Sequence, residues 1–347
     1  MTAAPLGLVG DGSAASETLQ DAGSGDPVGQ NTTMDAETTV QQLGEFGLVA
    51  EVSALAGDGG KVLLGPGDDA AHVAVRTGGY LVSTDLLVEN RHFRRDWSSA
   101  YEVGRKAAAC NLSDIAAMGG VADALTVALG VPGDLPAQWA IDLARGVVDE
   151  CRSVGAHLVG GDVTASDAIV VSVTAIGEAQ RPVRRDGARP GDDVAFAGNL
   201  GLAGAGFAAL SRGFRSPRAA VEAHRVPSPP YTAGPQASLA GATALVDVSD
   251  GLLADLGHVA TASGVAIDLD PALLPVAEPV ATVAEALGLD PLTLVLTGGD
   301  DYALVGTFPA GTELPAGWTC IGTVAEGEGV TVAGEPWEGA PGHRHFA

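Results

Sequence analysis

Aspartate stands beside glycine or a small hydroxyl residue in six separate segments of this chain: Gly65-Pro66-Gly67-Asp68-Asp69, Ser83-Thr84-Asp85, Asn111-Leu112-Ser113-Asp114, Gly160-Gly161-Asp162, Asp247-Val248-Ser249-Asp250 and Thr297-Gly298-Gly299-Asp300-Asp301. Taken singly, each is an ordinary turn or cap sequence. Gathered by a fold, they would make one site of carboxylates and hydroxyls drawn from distant parts of the chain. Two carboxylates about 4 Å apart repel by roughly 4 kcal/mol at an effective dielectric near 20, so such a cluster needs cations. An oxygen-only donor set selects hard ions such as magnesium, which sits between carboxylates and substrate phosphates. The chemistry these residues suit is metal-bridged phosphate chemistry.

Other catalytic patterns are missing. Gly59-Gly60-Lys61 is followed by Val62 and not by Ser or Thr, so there is no P-loop hydroxyl for a metal. Gly201, Gly204 and Gly206 open a helical stretch without dinucleotide-binding spacing, and close packing of small residues accounts for them. Cys110, Cys151 and Cys320 are widely spaced and contain no Cys-x-x-Cys pair, which suggests neither a disulfide framework nor a zinc site and fits a reducing cytoplasm.

Several periodic segments could position the aspartates. Tyr80 to Asp85 reads as a buried strand ending in hydroxyls and a carboxylate. Ser98 to Met118 reads as an Ala-rich helix stopped by Gly119-Gly120, on which Asn111 and Asp114 share a face. That face lies near the helix C-terminus, where an unpaired carboxylate opposes the macrodipole. Val121 to Val131 and Ile169 to Ile176 read as strands, Ala137 to Val154 as a helix, and His157-Leu158-Val159 as a strand running into Gly160-Gly161-Asp162. Apolar content drops around residues 181–192, which marks a domain boundary. Beyond it come strands near 194–196, 266–269, 302–308 and 320–324, a helix from Gly201 and another over 252–262. The fold class is α/β (α+β).

With 347 residues the chain is long enough for two domains, 39–183 and 184–347. Residues 1–38 carry acids, no bases and few large apolar groups, and are expected to be a disordered acidic tail. The net charge of −25 excludes a nucleic-acid surface, which needs clustered Lys and Arg, and otherwise serves solubility. No run approaches the length of a membrane span and no basic-then-apolar leader opens the chain, so no membrane partner is expected.

As an ordered set, the six motifs are far more specific than any one of them. Their order closely resembles the thiamine-monophosphate kinase family, within the superfamily of aminoimidazole-ribonucleotide synthetase, from about residue 39 to the C-terminus. The resemblance implies a two-domain homodimer. Its N-terminal α/β domain would pair with the partner's to form a barrel, and its C-terminal domain would be an α/β sandwich. It also implies direct in-line transfer of a phosphoryl group from ATP to thiamine monophosphate, with several magnesium ions. Carried onto matching positions, the metal shell would be Asp69, Ser83, Thr84, Asp85, Asp114, Asp162, Asp247 and Asp250. Gly161, Asp162, Arg185 and Ser249 would contact ATP, with Arg184 the alternative to Arg185. His92 would contact the acceptor. Two departures stand out: Asp300 replaces the family's Glu near the substrate, one methylene shorter, and the usual C-terminal Gly-aromatic-x-His-Phe is altered. Trp337 is the candidate replacement for the lost aromatic, with anchoring of the terminus as the alternative. Two other functions compete: a sister synthetase of the same superfamily, or a nucleotide-binding module without catalysis. The sister selenophosphate synthetase is disfavoured, because no reactive Cys lies near the N-terminal part of the fold.

Overall fold

Stretches of β-branched residues alternate with Ala-rich stretches along this chain, and among the described residues the fold sorts them into a four-stranded and a seven-stranded sheet with helices laid against them, beside one short two-stranded pair. A computed structural model describes residues 38–56, 61–64, 72–75 and 78–343. The expected acidic tail, apart from Thr38, lies outside the described residues. So do Gly65-Pro66-Gly67-Asp68-Asp69, with the expected ligand Asp69, and Arg344-His345-Phe346.

In chain order the first elements are α1 (Val40–Ala56), β1 (Val62–Leu64), β2 (His72–Val73), β3 (Leu81–Val88), α2 (Ala100–Ala117), β4 (Val121–Val131), α3 (Ala137–Val154), β5 (His157–Ala165) and β6 (Val170–Glu178). Four of these strands form a sheet in the order β3-β6-β4-β5, antiparallel except for the β4–β5 pair. The expected strand at His157 continues through Gly160-Gly161-Asp162, because Gly161 and Asp162 stay in register with Val127 and Ala128 of β4. β6 alternates up to Gly177: Val171, Val173 and Ala175 are buried toward the helices, and the residues between them are less covered. On the uncovered face stand Val82 and Leu86 of β3, 64% and 50% exposed. Thr84 lies between them and its hydroxyl meets that of Thr174 at 2.8 Å.

A capping box starts α2: the Ser99 hydroxyl accepts from the Glu102 amide, and the Glu102 carboxylate accepts from the Ser99 amide at 2.7 Å. α2 crosses α3 at two glycines. A Cβ on Gly104 would lie 1.9 Å from the Leu143 carbonyl oxygen, and one on Gly146 would lie 2.1 Å from that of Tyr101. Only glycine permits backbones this close.

The second half holds a short 3-10 turn at Arg185–Gly187 and then β7 (Asp193–Ala197), α4 (Leu202–Ser211), α5 (Arg218–Arg225), α6 (Ala233–Ala240), β8 (Ala244–Asp247), α7 (Leu252–Ser263), β9 (Ala266–Leu269), α8 (Glu278–Leu287), α9 (Pro291–Thr297), β10 (Leu304–Phe308), β11 (Trp318–Ala325), β12 (Gly329–Val332) and β13 (Glu335–Pro336). Its seven strands run in the order β13-β12-β9-β11-β7-β10-β8. Alternate residues feed two cores: Val194, Phe196, Val246 and Val305 face α4, α7 and α9, while Ala195, Ala197, Leu245, Leu304 and Phe308 face α6 and the end of α2. This is the mixed helix-and-sheet architecture that the sequence suggests. Among the described residues no single helix is long and apolar enough to cross a membrane.

Candidate active site

The end of α2 joins the two halves. Its Ala116 and Ala117 lie in the core beneath the seven-stranded sheet, while Asn111 and Asp114 reach back to β3. The Asn111 side-chain oxygen accepts from the Asp85 amide at 3.0 Å, and its NH2 donates to the Ala107 carbonyl at 2.9 Å. The Asp114 carboxylate accepts from the Ser83 hydroxyl. Between these two residues, Ser113 points the other way and donates to Asp247 Oδ2 at 2.9 Å. One turn of helix thus gathers Ser83 and Asp85 from β3, Asp114 from α2, and Asp247 from the end of β8.

Among the described residues, the cations near these carboxylates do not offset their burial and mutual repulsion. Burial, then the charges of Asp247 and Asp85, push Asp114 up to about 7, against the Ser83 bond and Arg185. Burial also pushes Asp247 to about 7, opposed by the Ser113 bond, while the charges of Asp255 and Asp85 add to the rise. Asp85 is raised by burial. Arg185 in the 3-10 turn is the cation felt by both Asp114 and Asp247, whereas Arg184 is paired with Asp186 at 2.6 Å. The electrostatics therefore favour Arg185 over Arg184 as the site arginine. Carboxylate and hydroxyl oxygens from three elements, starved of positive charge, fit hard divalent cations.

A second group adjoins Asp300. Its backbone is in the left-handed region, φ 65°, as is Tyr302 at φ 53°, an uncommon pair for non-glycine residues. The Asp300 amide bonds the Ser249 carbonyl at 2.8 Å and the Tyr302 amide bonds that of Val248 at 2.8 Å, so the two Asp-rich loops lie side by side. Lys106, only 2% exposed on α2, donates to Asp300 Oδ2 at 2.8 Å and to the carbonyls of His224 and His92 at 3.3 and 3.4 Å. Burial works against ionisation of Asp300, but Lys106, His224 and His92 outweigh it and hold the carboxyl below its usual range. His92 Nδ1 accepts from the Val88 amide at 2.9 Å, which places its proton on Nε2.

The family can now be read from known proteins. The AIR synthase related protein N-terminal domain model matches residues 67–179, and its C-terminal domain model matches 189–333. A thiamine-monophosphate kinase of Mycobacterium tuberculosis is 47% identical over 89% of this chain and 93% of its own length. The chain belongs to the thiamine-monophosphate kinase family. Among solved structures, the thiamine-monophosphate kinase of Stenotrophomonas maltophilia matches with TM-score 0.74 at 35% identity, over 83% of this chain and 96% of that one. AaThiL complexed with AMPPCP and TMP matches with TM-score 0.74 at 36% identity, over 88% and 98%.

Set against what the thiamine-monophosphate kinase family implies, Ser83, Asp85, Asp114, Asp247 and Arg185 come together, and Lys106 links the His92 carbonyl to Asp300. Ser249 and Asp250 sit on the loop beside Asp300. There the buried Asp255 carboxylate accepts from the amides of Asp250 and Gly251 at 3.0 and 3.1 Å. Oxygens of Asp250 and Asp255 and a ring nitrogen of His258 lie within 4.8 Å of one another. Thr84 faces the open side of the sheet, away from Ser83 and Asp85. Gly161 and Asp162 stand on β5, the opposite edge strand, with β6 and β4 between them and β3. A Cβ on Gly161 would lie 2.1 Å from the Val127 carbonyl, so strand packing alone requires that glycine. Trp337 packs, partly buried, against the core of the second half. Ser113, Lys106 and Asp301 escape sequence reasoning about the site. Asp301 is buried and accepts from the amides of Gly201 and Ala203, the latter at 2.8 Å, capping α4. For Lys106 a signal exists: it lies eight residues before Asp114, two helical turns back on the same broad side of α2.

Proposed function

We propose that this chain transfers the γ-phosphoryl group of ATP to the phosphate of thiamine monophosphate, giving thiamine diphosphate and ADP. The observation that carries the reading is the buried, mutually repelling set Asp85, Asp114 and Asp247 beside Arg185, in a chain whose relatives bear that activity in their names. An oxygen of the acceptor phosphate attacks the γ-phosphorus in line as its bond to the β-phosphate oxygen breaks, with no phosphoenzyme. The acceptor is already a competent nucleophile, so the obstacle is repulsion between two anions. Asp69, Ser83, Asp85, Asp114, Asp162, Asp247 and Asp250 would hold magnesium, which would neutralise phosphate charge; Thr84, its hydroxyl on that of Thr174 across the open face of the sheet, is left out of this shell. Arg185, with Gly161, Asp162 and Ser249, orients ATP. His92, its proton fixed on Nε2, donates to the acceptor phosphate, and Lys106 holds Asp300 beside it.

Two copies would pair through the uncovered face bearing Val82, Thr84 and Leu86, closing a barrel in which β5 of each stands beside β3 of the other. Asp162, about 14 Å from β3 across three strand spacings in its own subunit, then joins the partner's acid cluster. Free Cys110, Cys151 and Cys320 suit a cytoplasmic setting. The deciding assay incubates purified protein with thiamine monophosphate, ATP and magnesium and separates products by chromatography. Equal thiamine diphosphate and ADP, abolished by chelator, is the expected result; folded protein that binds ATP and makes no thiamine diphosphate would overturn the reading.

A further inference from the structure

Thiamine monophosphate carries a pyrimidine and a cationic thiazolium at the end away from its phosphate, and those rings need a surface. Trp97, Phe207 and His224 form a three-ring cluster: centroids lie 6.0 Å apart for Trp97–Phe207, 6.0 Å for Trp97–His224 and 5.6 Å for Phe207–His224. The cluster is continuous with the acceptor end of the site. Trp97 lies on the same loop as His92, five residues on, and His224 Nδ1 lies 3.7 Å from Asp300 Oδ2. Arg215 donates to the Asp96 carbonyl at 2.8 Å and so ties the α4–α5 loop to the Trp97 loop. The Arg94 guanidinium sits 4.8 Å from the Trp97 ring centroid.

Two details distinguish this cluster from ordinary packing. Phe207 on α4 is 51% exposed although two other rings lean on it. His224 is 6% exposed, yet among the described residues its Nδ1 has no hydrogen-bond partner, an uncommon state for a buried ring nitrogen. Lys106 engages Asp300 through Oδ2, while among the described residues Oδ1 meets the Tyr302 hydroxyl at 3.5 Å. A half-exposed aromatic face joined through His224 to a carboxylate suits a flat ring that is cationic or bears an amino group.

Resting on the kinase reading above, we propose that Phe207 and Trp97, backed by His224, form the subsite for the ring end of thiamine monophosphate, with Asp300 facing it. The ring surface is then built by α4 and the loop before α2, and Trp337 serves the core of the second half. Phe207 sets how tightly the acceptor is held and does not touch the phosphates.

The test compares Phe207→Ala, Phe207→Tyr and Trp97→Phe with the unaltered protein. Phe207→Ala is expected to raise KM for thiamine monophosphate by about five- to fiftyfold, the loss of one stacking face and its burial. KM for ATP and the thermal midpoint stay as they were, and Phe207→Tyr restores the acceptor KM. In a second arm without ATP, thiamine monophosphate changes tryptophan emission, and that change is lost in Trp97→Phe. An unchanged acceptor KM in Phe207→Ala, or equal changes for both substrates, overturns the subsite, as does an emission change that survives Trp97→Phe. Absence of turnover in the unaltered protein would instead sink the kinase reading. The emission titration would still decide the subsite, since no response to thiamine monophosphate would overturn it.

Discussion

Asp247 shows how one residue can be costly to the fold and useful to the site. It is 3% exposed, it faces Asp85 and Asp255, and its carboxyl is pushed up to about 7, mainly by burial. Asp114 is pushed to the same value by burial and by Asp247 and Asp85. A carboxyl with a folded value near 7 and an unfolded value near 3.9 favours folding while protonated. That contribution is complete below about pH 4 and gone above about pH 7. Metal-free protein is therefore expected to lose thermal stability between pH 5 and pH 8, and Asp247→Asn to flatten the loss and to stabilise at pH 8 by about 1–3 kcal/mol. Calorimetry in chelator at both pH values checks this; a mutant with the unaltered protein's slope would show that the carboxylate is not strained. The same logic predicts that Asp114→Asn lowers kcat/KM by two orders of magnitude or about that, since a charge that holds cations is lost, while the metal-free fold survives. Lys106 supplies the opposite case. Lys106→Met removes the ammonium that holds Asp300, His92 and His224 together. The expected result is a rise of about tenfold or more in acceptor KM, partly recovered in Lys106→Arg, which steady-state kinetics with the ATP KM as internal control would read.

At the scale of elements, α2 and α4 carry the site through their ends. The α4 N-terminus is capped from outside by Asp301, whose carboxyl accepts from the Gly201 and Ala203 amides. Asp301→Ala leaves those buried donors unpaired and is expected to cost about 1–2 kcal/mol in urea unfolding. A midpoint unchanged at constant slope would contradict the cap. The elements legible in the sequence are those with long, clean periodicity: Val121–Val131 and Ala137–Val154 stand where the alternation and the helical spacing put them. α5, α6, α8 and α9 went unread because they are 7 to 10 residues long, too short for periodicity to rise above turn-like flanks. Gly160-Gly161-Asp162 looked like a strand's end because two glycines weaken a strand on paper; pairing with β4 overrides that. The aspartates were visible as types, but which of them meet was not. Thr84 points away from its neighbours by strand alternation, and Lys106 looks like a surface lysine until the second half of the chain folds over it.

At the scale of the whole molecule, the arrangement of edges decides how many subunits make one site. Within one chain the acid cluster lies along β3 and Asp162 lies on β5, at opposite margins of the four-stranded sheet, while Val82 and Leu86 leave the open face apolar and uncovered. The proposed dimer, setting β5 against the partner's β3, would resolve both facts together: it would bury the apolar face and carry Asp162 to the other subunit's Asp85. Such sharing has a consequence that a site complete within each chain does not. Asp85→Asn and Asp162→Asn proteins are each expected to be nearly inactive alone. In a mixed dimer, one site receives both substitutions and the other receives neither. Unfolding and refolding equal amounts together makes about half the dimers mixed, each with one intact site of two, so activity returns to about a quarter of the unaltered value. Leu86→Asp, which places charge in the joint, is expected to give a monomer by light scattering and to abolish that recovery. Inactive mixtures containing mixed dimers, verified by differently tagged subunits, would place Asp162 and Asp85 in separate sites and return the whole reaction to a single chain.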